Sequence, residues 1–212
     1  MRAAVFFFAI GLVVSGCEDP GAEVTAATVE SPAEPKAQPS SGDDPGSKVD
    51  GSLAITPSNS KIEFVGAKVT ASHPGGFTDF TGKIDLGDPI EKSQIEVAIQ
   101  TASLYADKEK LTKHLKSPDF FDVGKFPTAT FRSTKITQDG NGYTISGDLT
   151  LHGVTKRISF PATVSATDSE VSASAEFSIN RQDYGINYPG MRDDLIRDLV
   201  VLKLSVKLPR QS

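Results

Sequence analysis

Apolar and polar residues alternate with a period of two along most of the chain after residue 52. The alternation is most regular in four runs, whose apolar members are Ile95, Val97 and Ile99; Tyr143, Ile145, Leu149 and Leu151; Val171, Ala173, Ala175, Phe177 and Ile179; and Val200, Leu202, Leu204, Val206 and Leu208. Successive side chains of a strand point to opposite faces, so each run predicts a strand with one apolar face. Turn-forming residues separate the predicted strands at Gly75–Gly76, Gly87–Pro89, Asp139–Gly142 and Asp168–Ser169. The pattern predicts an all-β protein with an antiparallel sheet of about eight strands, which closure into a barrel would leave without edges.

One segment departs from this period and predicts a short helix. Its apolar residues are spaced at i, i+7 and i+11, as one helical face requires: Leu104, Leu111 and Leu115. Pro118 would end that helix, because proline fixes φ and has no backbone donor. Phe120 and Phe121 follow, and residues 128–135 then alternate as a strand. The two adjacent rings predict either a plug at the mouth of a barrel or core residues that cap an apolar layer.

The size of the inward-facing residues bears on whether the barrel is filled. An eight-stranded barrel either fills with side chains or holds one small ligand. Ala129, Gly147, Ala173 and Ala175 stand at apparently inward positions, which favours an interior cavity. A filled interior is the alternative, because small residues also occur wherever a helix or loop presses on a sheet.

The N-terminus predicts a lipoprotein. In residues 1–16 a positive charge precedes an apolar run of about a dozen residues, too short to span a bilayer. The run ends in the lipobox pattern VSGC, and its cysteine, Cys17, is the only one in the chain. We therefore expect Cys17 to carry acyl chains that hold the protein on the periplasmic side of the envelope. Glu18 slightly favours the outer membrane, and an ordinary secretory signal cleaved near Gly16 is the alternative.

Residues 17–51 predict a disordered, acidic, proline-rich tether, because they contain few large apolar side chains to bury. Residues 52–212 then form the predicted barrel domain. The net charge of −5 belongs to the first fifty residues, which hold three basic and eight acidic residues. The remaining chain has 19 of each sign, so no basic surface is predicted for nucleic acid.

Catalytic and metal-binding patterns are sparse in the sequence, and a three-histidine site assembled by folding is the remaining alternative. His73, His114 and His152 are far apart and show no metal-ligand spacing. The chain has no G-x-S-x-G nucleophile motif and no phosphate-binding loop. We therefore expect a binding module with no metal and no cofactor, rather than an enzyme.

Several motifs resemble one known family. They are HLKSPDFFDV (114–123), FPTATFRST (126–134), GDLTLHGVT (147–155), INRQDYGI (179–186) and the closing run 199–208. Together they cover roughly residues 53–208, and in this order they resemble the YceI-like family. The resemblance implies an extended lipocalin-like eight-stranded barrel, with one short helix near its mouth, that binds a polyisoprenoid or related lipid in the bacterial periplasm. The chain departs from the family pattern at residues 65–70 and 111–113, so the headgroup preference stays open.

The inward positions and this resemblance together predict a ligand site. Its lining comprises Phe64, Ile84, Val97, Ile99, Phe131, Ile145, Leu149, Ala175, Phe177, Ile179, Leu202 and Leu204, with Phe120 and Phe121 at the mouth. Arg181 is a candidate for a headgroup phosphate or carbonyl, or alternatively an ion-pair partner of nearby acids. The expected ligand is a long-chain isoprenoid or acyl lipid. An envelope scaffold with a filled barrel is the alternative function, and a homodimer is an open alternative to a monomer.

The lipobox generates the first testable prediction. We expect Cys17→Ser to leave an unprocessed precursor or to release a soluble protein, because the thiol is the only predicted acylation point. Detergent-phase partitioning and the mass of the N-terminal peptide measure this outcome. Identical partitioning, with cleavage of the same bond in both proteins, would contradict the lipoprotein prediction.

Overall fold

The structure is a computed structural model, and it describes residues 20–21, 24–30 and 49–210. The predicted targeting segment, Cys17 and most of the predicted tether lie outside these residues. The described chain has one α-helix, α1 (Glu109–Leu115), and three 3-10 turns, Ile90–Lys92, Thr101–Ser103 and Arg181–Tyr184. Its strands are β1 (Thr28–Glu30), β2 (Val49–Ile55), β3 (Ser60–Lys68), β4 (Ala71–Phe77), β5 (Phe80–Gly87), β6 (Gln94–Gln100), β7 (Leu104–Ala106), β8 (Thr128–Asp139), β9 (Gly142–Leu151), β10 (Val154–Ala166), β11 (Glu170–Asn180), β12 (Gly190–Met191), β13 (Asp194–Leu195) and β14 (Leu199–Pro209).

The strands pair into one antiparallel ring. β2 pairs with β5, and β5 pairs with β6. In the same way β3 pairs with β4, and β4 pairs with β7. Each couple β2–β3, β4–β5 and β6–β7 therefore runs as one interrupted strand. The ring continues from β6 through β8, β9, β10, β11 and β14, and it closes where β14 pairs with β3. The predicted all-β antiparallel barrel is confirmed, although the described sheet has twelve strands rather than eight, because three strands are interrupted and β1 adds to β10.

The interruptions are stabilised by side chains that bond to the freed backbone groups. Between β2 and β3, the Asn59 carboxamide accepts from the Thr56 amide at 2.9 Å and donates to the Ala54 carbonyl at 2.9 Å. Between β6 and β7, the buried Thr101 hydroxyl donates to the Phe126 carbonyl at 2.7 Å, and its amide donates to the Pro127 carbonyl at 2.9 Å. Buried backbone groups therefore keep partners where the strands bend.

The predicted helix is shorter than its leucine spacing indicated. Leu104 lies on β7, where it pairs with Phe77 and is 1% exposed, so its assignment to the helix is wrong. The Thr112 hydroxyl accepts from the Ala106 amide at 2.9 Å, which ties α1 to the end of β7. Three leucines over twelve residues are too few to distinguish one continuous helix from a strand followed by a helix. The predicted stop at Pro118 agrees with the end of α1 at Leu115.

Residues 25–30, which lie inside the predicted tether, are part of the barrel wall. β10 and β11 pair only where 163–166 meet 171–174. Beyond those positions β1 pairs with β10, while the Ala27 amide donates to the Ser178 carbonyl at 2.8 Å and the Ser178 amide donates to the Thr25 carbonyl at 3.1 Å. The segment thus fills a seam between β10 and β11. The prediction of a disordered tether is wrong for this segment, and β2 begins at Val49 rather than after residue 51.

The seam segment is also packed, since Ala27 is 9% exposed and belongs to the apolar core of the barrel. Composition alone predicted disorder because small residues such as Ala27 bury little area by themselves. Their order depends on unpaired strand backbone that only the folded barrel presents.

Apolar side chains close the end of the barrel that lies opposite α1. They form one buried cluster, made of Ile55, Phe80, Ile84, Leu86, Val171 and Leu208. The α1 end is built instead from short connections, namely α1, the β3–β4 turn, the hairpin β12–β13 and the turn Arg181–Tyr184. We call this the mouth end and the opposite one the far end.

The seam generates the second prediction. Ala27→Asp buries a carboxylate in the wall, and we expect the free energy of unfolding to fall by about 2 kcal/mol. Ala26→Asp is the matched control, because the adjacent side chain is exposed and should change stability by less than about 0.5 kcal/mol. Chemical denaturation measures both variants, and equal stabilities would contradict the packed seam.

Candidate functional site

A cavity of about 930 Å³ occupies the barrel interior and extends to α1. Its wall is formed by inward-facing side chains of strands all around the ring, and these are mostly apolar. Polar residues reach the cavity chiefly at the mouth end, from α1 and from the β12–β13 region. The cavity is therefore an apolar chamber with a polar rim.

All fifteen residues predicted to contact a ligand line this single cavity. They include the inward faces of β6, β9, β11 and β14, as the period-two pattern predicted. Ala129, Ala173 and Ala175 also line it, whereas Gly147 has a different role. A Cβ on Gly147 would lie 2.4 Å from the Phe131 ring and 2.5 Å from the Arg132 carbonyl, so this glycine makes room for the ring. Contact of these residues with a ligand stays a prediction.

Three aromatic rings form one side of the chamber. Phe160 and Phe177 stack with their centroids 4.1 Å apart and 10° between their planes, and Phe131 lies 5.7 Å from Phe160. Phe160 is absent from the predicted lining. The alternation of Ile158, Phe160 and Ala162 along β10 carried the signal, since all three line the cavity.

A second group of rings surrounds Phe120 and Phe121 at the mouth. Phe120 lies 5.2 Å from Tyr188, and the His114 ring stands 5.0 Å from each of them, edge-on. Phe121 lies 6.0 Å from Phe77 on the other side. Phe120 is 5% exposed, and both phenylalanines line the cavity. The sequence analysis offered a plug at the mouth or core residues as alternatives, and these rings are core residues that lie at the mouth.

The segment between β11 and β14 contributes lining residues that sequence reasoning missed. Ile186, Tyr188, Met191 and Ile196 all reach the cavity. They stand in a stretch rich in Gly, Pro, Asp and Arg, which shows no regular period. Their position depends on contacts with distant residues, so local sequence offered no signal.

Arg181 holds this segment in place. Its guanidinium donates to the carbonyls of Arg197 at 3.1 Å, Ile186 at 2.5 Å and Ile196 at 3.4 Å, and to Asp198 at 3.0 Å. These bonds use four of its five N–H groups. Burial lowers the pKa of Arg181, and the neighbouring Asp198 carboxylate opposes this shift. Arg181 thus lines the cavity while forming the ion pair that the sequence analysis held as the alternative.

Tyr184 and His152 hold the turn Arg181–Tyr184 against the barrel. Tyr184 is fully buried, and burial raises the pKa of its phenol, so the ring stays neutral. The His152 imidazole lies 3.1 Å from the Tyr184 carbonyl and 4.4 Å, between centroids, from the Phe126 ring. His152 has φ of 50° and is followed by Gly153 in the tight β9–β10 turn.

The rim carries charged groups. Lys68 bonds to Asp194, which also accepts from the Thr70 amide at 3.2 Å and hydroxyl at 3.0 Å. The Lys68 ammonium chiefly lowers the pKa of the Asp194 carboxyl. Lys108 and Lys110 reach the cavity from α1 and its N-terminal side, and neither has an ion-pair partner in the described part of the chain.

The histidines serve separate local contacts. His73 lies 3.0 Å from Asp107 and His114 lies 2.8 Å from Asp119. Across the described residues, no group of three or more His, Cys, Asp or Glu side chains is arranged to hold a metal ion. Across the same residues, no helix is both long and apolar enough to cross a bilayer.

Known proteins match both the sequence and the fold. The model of the YceI-like domain family matches residues 53–208. A UPF0312 protein of Pseudomonas putida is 38% identical over 125 residues, which cover 55% of this chain and 65% of the relative. One from Vibrio parahaemolyticus is 43% identical over 90 residues, covering 42% and 48%. The matches thus span less than two thirds of these relatives' own lengths.

Solved structures with a similar fold include proteins from three bacteria. BcnA of Burkholderia cenocepacia matches with a TM-score of 0.65 at 21% identity, covering 72% of this chain and 98% of that one. A polyisoprenoid binding domain from Saccharophagus degradans matches with 0.62 at 15%, covering 77% and 100%. The YceI protein of Campylobacter jejuni matches with 0.53 at 24%, covering 65% and 85%. At these identities the likeness is one of fold.

Arg181 generates the third prediction. Arg181→Met removes donors from three carbonyls and from Asp198, and we expect a loss of about 2–3 kcal/mol in the free energy of unfolding. Arg132→Met is the control, because the Arg132 side chain is 73% exposed and should change stability by less than about 0.5 kcal/mol. Urea denaturation reports both values. If the two variants were equally stable, Arg181 would not hold the segment.

Proposed function

The chain belongs to the YceI-like domain family, and we propose on this premise that it binds a long apolar lipid inside its barrel. The observation that supports this proposal is the chamber of about 930 Å³, whose wall is mostly apolar and most of whose polar groups lie at the mouth end. Such a chamber matches an elongated molecule with an apolar tail and a polar head. A polyisoprenoid, an isoprenoid quinone and a fatty acyl compound all have this form.

Burial of the tail supplies the driving force. Each methylene moved out of water contributes about 0.8 kcal/mol, so a long tail gains well over 10 kcal/mol before the cost of ordering it. The chamber is near the upper end of the range of about 300–1,000 Å³ typical of ligand pockets. The fold shared with the polyisoprenoid binding domain from Saccharophagus degradans supports the same ligand class.

The polar head would stay at the rim. Lys108 and Lys110 approach the mouth without ion-pair partners in the described residues, so they are free to meet an anionic or carbonyl headgroup. Arg181 is less suited to that role, because four of its five N–H groups already bond to the protein. The proposed mechanism is shielding: the barrel stores or carries a tail that cannot cross water alone.

The proposed location is the periplasmic side of the cell envelope. The lipobox ending at Cys17 supports a lipid anchor there, and Glu18 favours the outer membrane. The activity we propose is binding rather than catalysis. The chamber also weighs against the scaffold alternative, which requires an interior filled by side chains.

The direct test is chemical analysis of the protein from its native host. We expect an organic extract to contain one apolar molecule per protein, identified by mass spectrometry, because so large a buried area makes dissociation slow. Extracts that hold no such molecule would count against the proposal.

Ala175→Trp tests the same site by occupying it. Ala175 is 9% exposed and lines the chamber, so the indole would fill volume that the tail needs. We expect delipidated stability to change by less than about 1 kcal/mol, whereas overpacking a filled core would cost about 1–3 kcal/mol. Binding of a long-chain isoprenoid should fall at least tenfold.

Ser172→Trp is the matched control on the same strand, because Ser172 does not line the chamber. It should leave isoprenoid binding unchanged. A marked loss of stability in Ala175→Trp, with no isoprenoid bound by the parent protein, would favour the scaffold alternative.

A further inference from the structure

Among the residues that the structure describes, large apolar side chains are exposed at one end of the barrel. In the described residues they are Val69, Tyr105, Met191 and Leu195. Val69 lies in the β3–β4 turn, Met191 and Leu195 lie in the hairpin β12–β13, and Tyr105 lies on β7 beside α1. All four therefore belong to the mouth end.

Three of these residues form one patch, which we call the rim patch: Val69, Met191 and Leu195. The Val69 amide donates to the Leu195 carbonyl at 3.1 Å, which joins the two connections side by side. Met191 is 74% exposed and Leu195 is 50% exposed, so both side chains meet solvent at the rim, where Met191 also borders the cavity. Clustered exposed apolar side chains of this kind mark an interaction surface.

The rim patch is held rigidly. Asp194, between its two hairpin residues, bonds to Lys68 and to the amide and hydroxyl of Thr70. These bonds fix the hairpin against the β3–β4 turn. The apolar tips are thus presented by a fixed scaffold beside the opening of the chamber.

Two lysines at the same opening carry positive charge. Lys108 and Lys110 stand on the same rim, exposed and without ion-pair partners among the described residues. Apolar tips and lysines without ion-pair partners at one opening suit the surface of a bilayer, where tips enter the headgroup region and ammonium groups meet lipid phosphates.

The seam segment gives the length of chain between the predicted anchor and the barrel. Thr25 lies eight residues after Cys17, and eight residues at full extension span about 26–29 Å. Thr25 bonds to Ser178 of β11, three residues before Arg181 at the mouth, whereas the register of β1 places it level with Ala162 of β10, four residues before Ala166 at the far end. Thr25 therefore lies between the two ends of the wall. The connection lets either end reach the bilayer, and the orientation depends on the rim patch and the rim lysines.

From these observations we propose that the mouth end docks on the bilayer that holds Cys17, through the rim patch and the rim lysines. The inference rests on the proposed lipid-binding function, and it adds the membrane surface as the partner of that same opening. A tail that leaves the bilayer would enter the chamber without crossing water. The connection from Cys17 acts over at most eight residues before the barrel, and not over the whole of residues 17–51.

Two single-site probes on the full-length protein test the orientation. Met191→Cys places a thiol in the rim patch and Asp168→Cys places one in the exposed β10–β11 turn at the far end. Each is labelled with an environment-sensitive dye in acylated protein, in phosphatidylethanolamine–phosphatidylglycerol vesicles that contain a spin-labelled lipid. We expect at least threefold stronger quenching at position 191 than at 168. Equal quenching, or stronger quenching at 168, would overturn the proposal.

The same probes in a Cys17→Ser background separate docking from anchoring. We expect position 191 to remain the more strongly quenched after mixing with these vesicles, although fewer molecules are bound. If the spin-labelled lipid quenched the dye at neither position, the rim patch would face another partner, such as a protein. That result would overturn membrane docking. Extraction of a bound lipid tests the proposed function separately.

Charge reversal supplies a matched control. Lys108→Glu combined with Lys110→Glu should lower the vesicle-bound fraction of Cys17→Ser protein at least threefold. Lys92→Glu combined with Lys207→Glu changes the net charge equally at exposed positions toward the far end, and should leave that fraction unchanged. Equal losses would mean that net charge alone drives binding, which would overturn the assignment of the mouth end.

Discussion

The closed backbone ladder is the constraint on which the rest of this structure depends. A curled sheet leaves strand backbone unpaired wherever its neighbours separate, and such groups need partners. β10 and β11 separate beyond four paired positions, and residues 25–30 fill the gap. A stretch of the N-terminal region thereby becomes part of the wall, with Ala27 in the core.

A barrel with an open interior gives up part of the packing that stabilises a filled one, since lining atoms lack partners on one side. Here compensation comes from the periphery. The far end is closed by a buried cluster around Phe80 and Leu208, and the mouth segment is held by the bonds of Arg181. The chamber can stay open because its boundaries are well packed.

The mouth combines roles that are usually separate. Phe120 and Phe121 close the top of the apolar wall, while His114 and Tyr188 join α1 to the segment after β11. Beside them, Asp194 fixes the hairpin that exposes Met191 and Leu195. The structure thus places the chamber opening, the rim lysines and the exposed apolar tips at the same end of the barrel.

The sequence by itself determined most of the strands, the barrel class and most of the chamber wall, because period-two alternation records which face of each strand avoids water. The turn it predicted at Gly75–Gly76 is wrong, because both glycines lie within β4 and pair with β3. The sequence misplaced Leu104 on the helix, and the tether it predicted is wrong where Ala27 packs into the wall, since short segments carry too little local signal. Only the tertiary structure decided how Arg181 is bonded, that Gly147 accommodates the Phe131 ring, and that Met191 and Ile196 reach the chamber. Each of these depends on contacts between residues distant in sequence, which close only when the ladder closes.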